Sequence, residues 1–307
     1  MIIVQKKHIL QGHKDSVYAL VSAENGNTIF SAAADGYVVR WDLDKQEPEK
    51  EIMGRVIANI ANSSYALCLL AQKNLLAFGH NTDGIHVLDL AKNNEIFSAG
   101  FTKAAIFDIQ EFDNQLFVAC GDGNVVVIDS IKYNLKTTFQ FSDKAARCLA
   151  VAPQKKELAV GYSDYKIRIF DLQTLELKQE FLAHQNSVFS LCYSPTEEYL
   201  LSGGRDAHLK IWKIENQASL LAQDIVAHLY TINHIAYNPN GKTFATCSKD
   251  KSIKLWQSAD FQLLKVIDKG RHAAHSTSIN KLCWLSETAL VSCSDDTTIV
   301  IWEVAMT

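Results

Sequence analysis

Four times along the chain a histidine is followed by a serine or threonine, then an aspartate, then a tryptophan. The sets are His13, Ser31, Asp35 and Trp41; His184, Ser202, Asp206 and Trp212; His228, Thr246, Asp250 and Trp256; and His275, Ser292, Asp296 and Trp302. A histidine between a hydroxyl and a carboxylate has the composition of a nucleophilic triad. In the first three sets the hydroxyl, carboxylate and indole stand 18, 22 and 28 positions after the histidine; in the last they stand 17, 21 and 27 after it. Repetition decides against catalysis. A reaction centre is built once in a chain, whereas a structural device is built once per repeated unit. No catalytic residue is assigned, and the chain is read as a non-enzyme.

Other groups with chemical potential lack the company they would need. His272 and His275 form a His-x-x-His pair, but no carboxylate or cysteine cluster stands beside them, so no metal site and no cofactor are expected. Gly203 and Gly204 close an apolar run rather than opening a helix, which is the wrong context for a phosphate loop. The seven cysteines are Cys68, Cys120, Cys148, Cys192, Cys247, Cys283 and Cys293. Their number is odd, no two form a close pair, and each sits in an apolar run. They read as reduced core residues of a cytoplasmic protein.

The elements that carry these residues are short strands. The stretch 177–212 shows four apolar or alternating runs separated by turn residues, and no segment keeps a helical period. Leu88-Asp89, Ile128-Asp129 and Phe170-Asp171 stand where Trp41-Asp42 stands in the first unit. Seven anchors result, at 41, 88, 128, 170, 212, 256 and 302, separated by 47, 40, 42, 42, 44 and 46 residues. A period in the low to mid forties ending on Trp-Asp resembles the WD-repeat (WD40) family across essentially the whole chain.

That resemblance implies an all-β fold: a seven-bladed β-propeller of four-stranded antiparallel blades. Blade cores are expected at about 13–54, 55–100, 101–141, 142–182, 183–226, 227–269 and 275–303, within a single domain of residues 1–307. Little chain follows Trp302, so the run at 2–10 is expected to complete the last blade, as the N-terminal strand does in the family. The His, Ser/Thr, Asp and Trp sets are expected to form buried hydrogen-bonded networks that lock four blades. Blades two, three and four lack the histidine and tryptophan. Asp122 and Asp164 remain there, with Thr82 or Asp83 in blade two, and packing is expected to do more of the work. On this reading Asp206 matters more to stability than Asp164.

The resemblance also implies a binding face at the channel mouth. In the family, positions three and five after the histidine and one before the aspartate line that face. The fifth-after-His positions carried over are Tyr18, Phe189, Asn233 and Asn280, with Tyr65, Phe107 and Arg147 placed by strand pattern in the blades that lack the histidine. Ser16, Ser63, Ala105, Ala145 and Ser187 are small neighbours. Arg205, Lys249 and Asp295 precede their aspartates. Aromatic residues and arginine are typical anchors of interfaces, and Arg147, Arg205 and Lys249 suit an acidic group. Two readings stay open: these residues receive a peptide, or the aromatics simply pack the inner face. The stretch 53–64, in the longest gap, is either a contact loop or a blade that has lost its Gly-His turn.

A net charge of -4 and a pI of about 6.2 give no general attraction to nucleic acid or to anionic membranes. No apolar run approaches the length of a membrane span, and the first residues do not read as a secretion signal. The expected role is a cytoplasmic scaffold or adaptor with a protein or peptide partner. A propeller enzyme or small-molecule binder using the channel is the first alternative, and a phosphopeptide or nucleic-acid reader the second.

Overall fold

The apolar runs form strands whose burial follows their distance from a central axis. The computed structural model describes residues 2–43, 52–82, 84–216 and 218–306; these form seven four-stranded antiparallel sheets arranged as a β-propeller. The innermost strands are Val17–Ser22, Ala66–Leu70, Ile106–Phe112, Ala146–Ala152, Val188–Tyr193, Ile232–Tyr237 and Ile279–Ser286. Each packs against its two neighbours, and the seventh packs against the first.

Second strands such as Thr28–Ala33, Leu75–His80, Glu157–Tyr162 and Thr243–Ser248 are buried at every position. A sheet covered on both faces has no polar side to offer, so these runs are mainly apolar, and the polar residues within them, such as Ser31 and Thr246, are buried. The outer strand Asn134–Gln140 is almost wholly exposed. The core lies between blades: one cluster joins Ala77 and Val87 of the second sheet to Ile106 and Val118 of the third.

Ile2–Leu10 supplies the fourth strand of the last blade. It pairs antiparallel with Ile299–Met306, from Ile2 against Met306 to Leu10 against Ile299. Its burial alternates strictly from Ile2 to Ile9, as expected of a strand with one face on the core. Pairing across the two ends leaves no open sheet edge facing a gap in the ring.

In the stretch 53–64 the second expectation holds: a regular outer strand is followed by no Gly-His turn. Gly54–Asn59 is the outer strand of the first sheet, paired from Trp41 against Gly54 to Tyr37 against Asn59. The boundary expected at 54/55 therefore falls inside that strand. Ile57 explains the apolar character, since it packs with Leu76, Phe78 and Leu88 of the second sheet. Gly54 lies against Trp41, and a Cβ there would come within 2.7 Å of the indole. Residues 44–51, and the Asp83 expectation, lie outside the described residues.

Each blade turns between its second and third strands through one left-handed residue. These residues are Gly36, Gly84, Gly123, Tyr165, Ala207, Lys251 and Thr297, with φ from 68° to 90°. In six blades the preceding aspartate braces the turn, accepting the N–H two residues on: Tyr37 to Asp35, Asn124 to Asp122, Lys166 to Asp164, His208 to Asp206, Ser252 to Asp250 and Thr298 to Asp296. A side chain in this conformation costs roughly 1–2 kcal/mol. Lys251 is exposed. Lys251→Gly relieves that strain and loses part of it to unfolded-chain entropy, so a net gain of about 0.5–1 kcal/mol is expected in urea denaturation. Unchanged or lower stability would show that the lysine is held there by contacts that outweigh the strain.

Candidate functional site

The four His, Ser/Thr, Asp and Trp sets form hydrogen-bonded chains of the same design. His13 Nε2 is 2.7 Å from Ser31 Oγ, Trp41 Nε1–H donates to the same oxygen at 2.8 Å, and His13 Nδ1 is 3.0 Å from Asp35 Oδ2. The corresponding distances are 2.8, 2.9 and 3.0 Å at His184, Ser202, Trp212 and Asp206. They are 2.8, 2.9 and 2.9 Å around His228, and 2.8, 2.8 and 3.0 Å around His275. A carboxylate only accepts, so Nδ1 carries the ring proton; Nε2 then accepts from the hydroxyl, and the hydroxyl accepts from the indole. All four hydroxyl-bearing residues are 0% exposed, which gives a substrate no route to them. His275 is committed to Asp296, so it does not pair with His272 on a metal. Among the described residues no three His, Cys, Asp or Glu converge as metal ligands, and all seven cysteines are unpaired.

The other three blades fill the same place differently. Leu88, Ile128 and Phe170 are buried where tryptophan stands elsewhere. Phe170 packs against Phe139 and Phe141, with ring centroids 4.9 and 5.0 Å away. In blade three Thr102 Oγ1 donates to Asp122 at 2.8 Å. In blade four Asp164 pairs with buried Arg168 at 2.9 Å, and Arg168 also reaches Glu180 at 2.6 Å and lies over Tyr162. Blade four therefore has a polar lock of its own, centred on an arginine that the repeat pattern does not mark.

Electrostatics follow from these partners. Burial alone raises the Asp206 carboxyl; the His184 hydrogen bond and charge, with the Gln185 and His208 amides, outweigh it and bring it down to about 2. Asp250 and Asp296 are lowered by the same balance. Burial lowers His13 and His228 against the pull of their aspartates. A carboxyl lowered on folding stabilises fully above its ordinary value of 3.8 and loses that contribution as pH falls toward about 2. Asp206→Asn should therefore flatten the loss of stability between about pH 4 and pH 2. Asp206→Ala strands the His184 donor and should cost about 2–3 kcal/mol; Asp164→Ala leaves Arg168 still paired to Glu180 and should cost about 1 kcal/mol. Equal urea midpoints for the two alanine variants would contradict this order.

The channel mouth is built by bulges. In six inner strands the register slips by one residue, at Tyr18, Phe107, Arg147, Phe189, Asn233 and Asn280. A bulged residue has no partner across the ladder, and its side chain is re-aimed. Strand alternation alone is therefore not what turns these side chains into the mouth. The flanking Val17, Ile106, Ala146, Val188, Ile232 and Ile279 are fully buried. Tyr65 stands just before its strand and joins the same ring. In six blades a backbone bond ties the loop positions together: Ala34, Gly121, Ser163, Arg205, Lys249 and Asp295 donate to the carbonyls of Ser16, Ala105, Ala145, Ser187, Thr231 and Ser278. Blade two has no such bond from Asn81 to Ser63 among the described residues.

The seven ring residues surround a cavity of about 410 Å³. Five form a continuous arc. Tyr18 and Tyr65 have ring centroids 4.7 Å apart, and Tyr65 and Phe107 are 5.8 Å apart. The Arg147 guanidinium lies over Phe107 at 4.2 Å and over Phe189 at 4.2 Å. Asn233 and Asn280 complete the ring but are committed to the frame. Asn233 Nδ2 donates to the Ile279 carbonyl at 2.8 Å, and Asn280 Nδ2 donates to the Val17 carbonyl at 2.9 Å and to Asp295 at 2.8 Å. Arg205 and Lys249 are exposed on the surrounding loops and do not line the cavity.

One residue deeper stand Asp108, His234 and Lys281, which the repeat pattern does not single out. The signal was present: each is a titratable residue directly after a ring position, Phe107, Asn233 or Asn280. Asp108 accepts the Leu149 amide at 2.9 Å, Ser190 accepts that of Ile235 at 2.9 Å and His234 that of Leu282 at 3.3 Å. Each bond crosses from one blade to the next. Burial raises the Asp108 carboxyl, opposed by Lys281 and the amides, while burial and the Lys281 charge hold His234 well below its usual value.

A family model described as "WD domain, G-beta repeat" matches residues 4–42, 175–213, 220–257 and 268–303. The chain is 26% identical to Protein groucho of Drosophila melanogaster over 200 residues, 64% of this chain and 27% of that protein. It is 25% identical to Topless-related protein 4 of Arabidopsis thaliana over 209 residues, 66% and 16% of the two chains. Human striatin is 23% identical over 211 residues, 69% and 23% of the two chains. The chain thus spans about a quarter or less of the length of these curated relatives. No helix among the described residues is long and apolar enough to cross a membrane.

Proposed function

The chain belongs to the WD40-repeat family of β-propellers, and on that premise we propose that it is a non-enzymatic scaffold that binds a protein or peptide partner at the channel mouth. The observation that carries this reading is the arc of Tyr18, Tyr65, Phe107, Arg147 and Phe189. All five are half-buried and lie around one cavity, and four of them sit on bulges that the sheet ladder does not need. Side chains required only for packing would be fully buried, like their neighbours Val17 and Val188. Half-exposed aromatic and arginine side chains are the common anchors of protein interfaces. The acidic balance argues against nucleic acid and membrane surfaces, and a cytoplasmic setting suits seven unpaired cysteines.

The polar tier of Asp108, His234 and Lys281 inside the cavity favours a second reading, a small-molecule binder that uses the channel. Ligand-induced shifts in melting temperature across a metabolite panel would support that reading.

The first test is a pull-down from native lysate with the tagged chain. Wild type is compared with a variant carrying Tyr18→Ala, Tyr65→Ala, Phe107→Ala and Phe189→Ala, its fold verified by thermal melting. A partner held by wild type and lost from the variant is expected. A partner retained equally by both would move the site to the rim or the opposite face.

A further inference from the structure

Arg147 is the one cation of the arc, and its surroundings are unusual. It is held between two phenylalanine rings, one from each neighbouring blade, at 4.2 Å from both. Among the described residues no carboxylate and no hydrogen-bond acceptor pairs with its guanidinium. The other arginine held over a ring, Arg168, has two carboxylates, Asp164 and Glu180. Arg147 is half-buried, and its donors are left open to the cavity, where a ligand can supply the acceptor they lack.

Charge within the cavity points the same way. Two cations line it, Arg147 and Lys281, against one carboxylate, Asp108. Asp108 is occupied by the Ile109 and Leu149 amides, at 3.0 and 2.9 Å. The Lys281 ammonium forms no hydrogen bond or ion pair among the described residues. Around the rim the charge is divided. Arg205 stands on the blade next to Arg147 and Lys249 on the blade after it, while Asp15 and Asp295 stand on the far side near Tyr18.

We propose that the channel mouth is a receptor for the carboxylate side chain of an acidic peptide, which docks on the free N–H edge of Arg147 with its charge directed toward Lys281. The inference rests on the peptide-binding reading above. Rings from both neighbouring blades crowd the guanidinium at 4.2 Å, so its N–H donors are what it has left to offer a ligand. A planar carboxylate matches that edge with two parallel hydrogen bonds. The arc from Phe107 to Tyr18 receives the apolar part of the same peptide, and Asp295 repels a second acid from the opposite side.

The test uses a randomised heptapeptide display library selected against the intact chain. Each selected peptide is synthesised with a fluorophore and titrated by polarisation. The expected result is an acidic residue shared by the selected peptides. Replacing that Glu or Asp by its amide should weaken binding at least tenfold. Arg147→Met should have a similar effect, and Arg147→Lys, which keeps the charge without the planar fork, should lose about tenfold. Lys281→Met should weaken binding less and reduce its dependence on salt. The peptide-side substitution needs no protein variant, so it decides the matter even where Arg147→Met fails to fold. Peptides that require Tyr18 and Phe189 but tolerate both the amide replacement and Arg147→Lys would overturn the carboxylate assignment and leave peptide binding intact. A phosphoserine version that binds more than tenfold tighter than the glutamate version would make phosphate the recognised group, which also overturns it. Selected peptides indifferent to Tyr18→Ala and Phe189→Ala would remove the channel-mouth reading itself.

Discussion

Closure of the ring is the constraint from which the rest of this structure follows. Each blade buries its second strand on both faces, and each can do so only because a neighbour stands on either side. A missing neighbour anywhere would expose a face of buried, mainly apolar strands. The antiparallel pairing of Ile2–Leu10 with Ile299–Met306 completes the last sheet, and the Asn280 amide, bound to the Val17 carbonyl, ties that sheet to the first. The inner strands then meet around an axis, and the cavity at the mouth follows from seven of them meeting at once.

Within that ring, polar groups are used in two ways. The His, Ser/Thr, Asp and Trp chains are closed: every donor has an acceptor, and the hydroxyls are unreachable from solvent. Such a chain holds the third strand against the second and braces the left-handed turn beside it through the same aspartate. The inner-tier bonds of Asp108, Ser190 and His234 do comparable work between blades. Arg147 and Lys281 stand apart from both patterns, because their donors end in the cavity. The distinction between satisfied and unsatisfied polar groups separates framework from surface here better than residue type does.

The fold was legible because its signals repeat. Four full sets in register, with Leu88, Ile128 and Phe170 at the same place in the remaining units, fix seven sheets without any structural information. The strand Gly54–Asn59 was less legible, because no histidine turn follows it as His184 and His228 follow the outer strands Leu177–Leu182 and Ser219–Val226. The ring positions could be named by counting from the histidine in four blades and by strand pattern in the other three, but the reason they face the mouth could not. A bulge leaves no compositional mark when its residue is as ordinary as Tyr18 or Asn233. Arg168 was invisible for another reason: its role depends on Asp164, Glu180 and Tyr162, which come together only across folded strands.

The incompleteness of the aromatic arc has a consequence for orientation. A propeller with seven equal residues at its mouth would offer a ligand seven equivalent rotational settings. Any message carried by the direction of the bound chain would be lost. Here the rings run from Tyr18 to Phe189 and stop, and Asn233 and Asn280 occupy the remaining arc with their amides already bonded to the frame. The near-symmetry that makes the scaffold easy to build is thereby broken at its centre. A ligand seated in this mouth would have one azimuth, so the chain could report which way its partner points as well as whether it is bound.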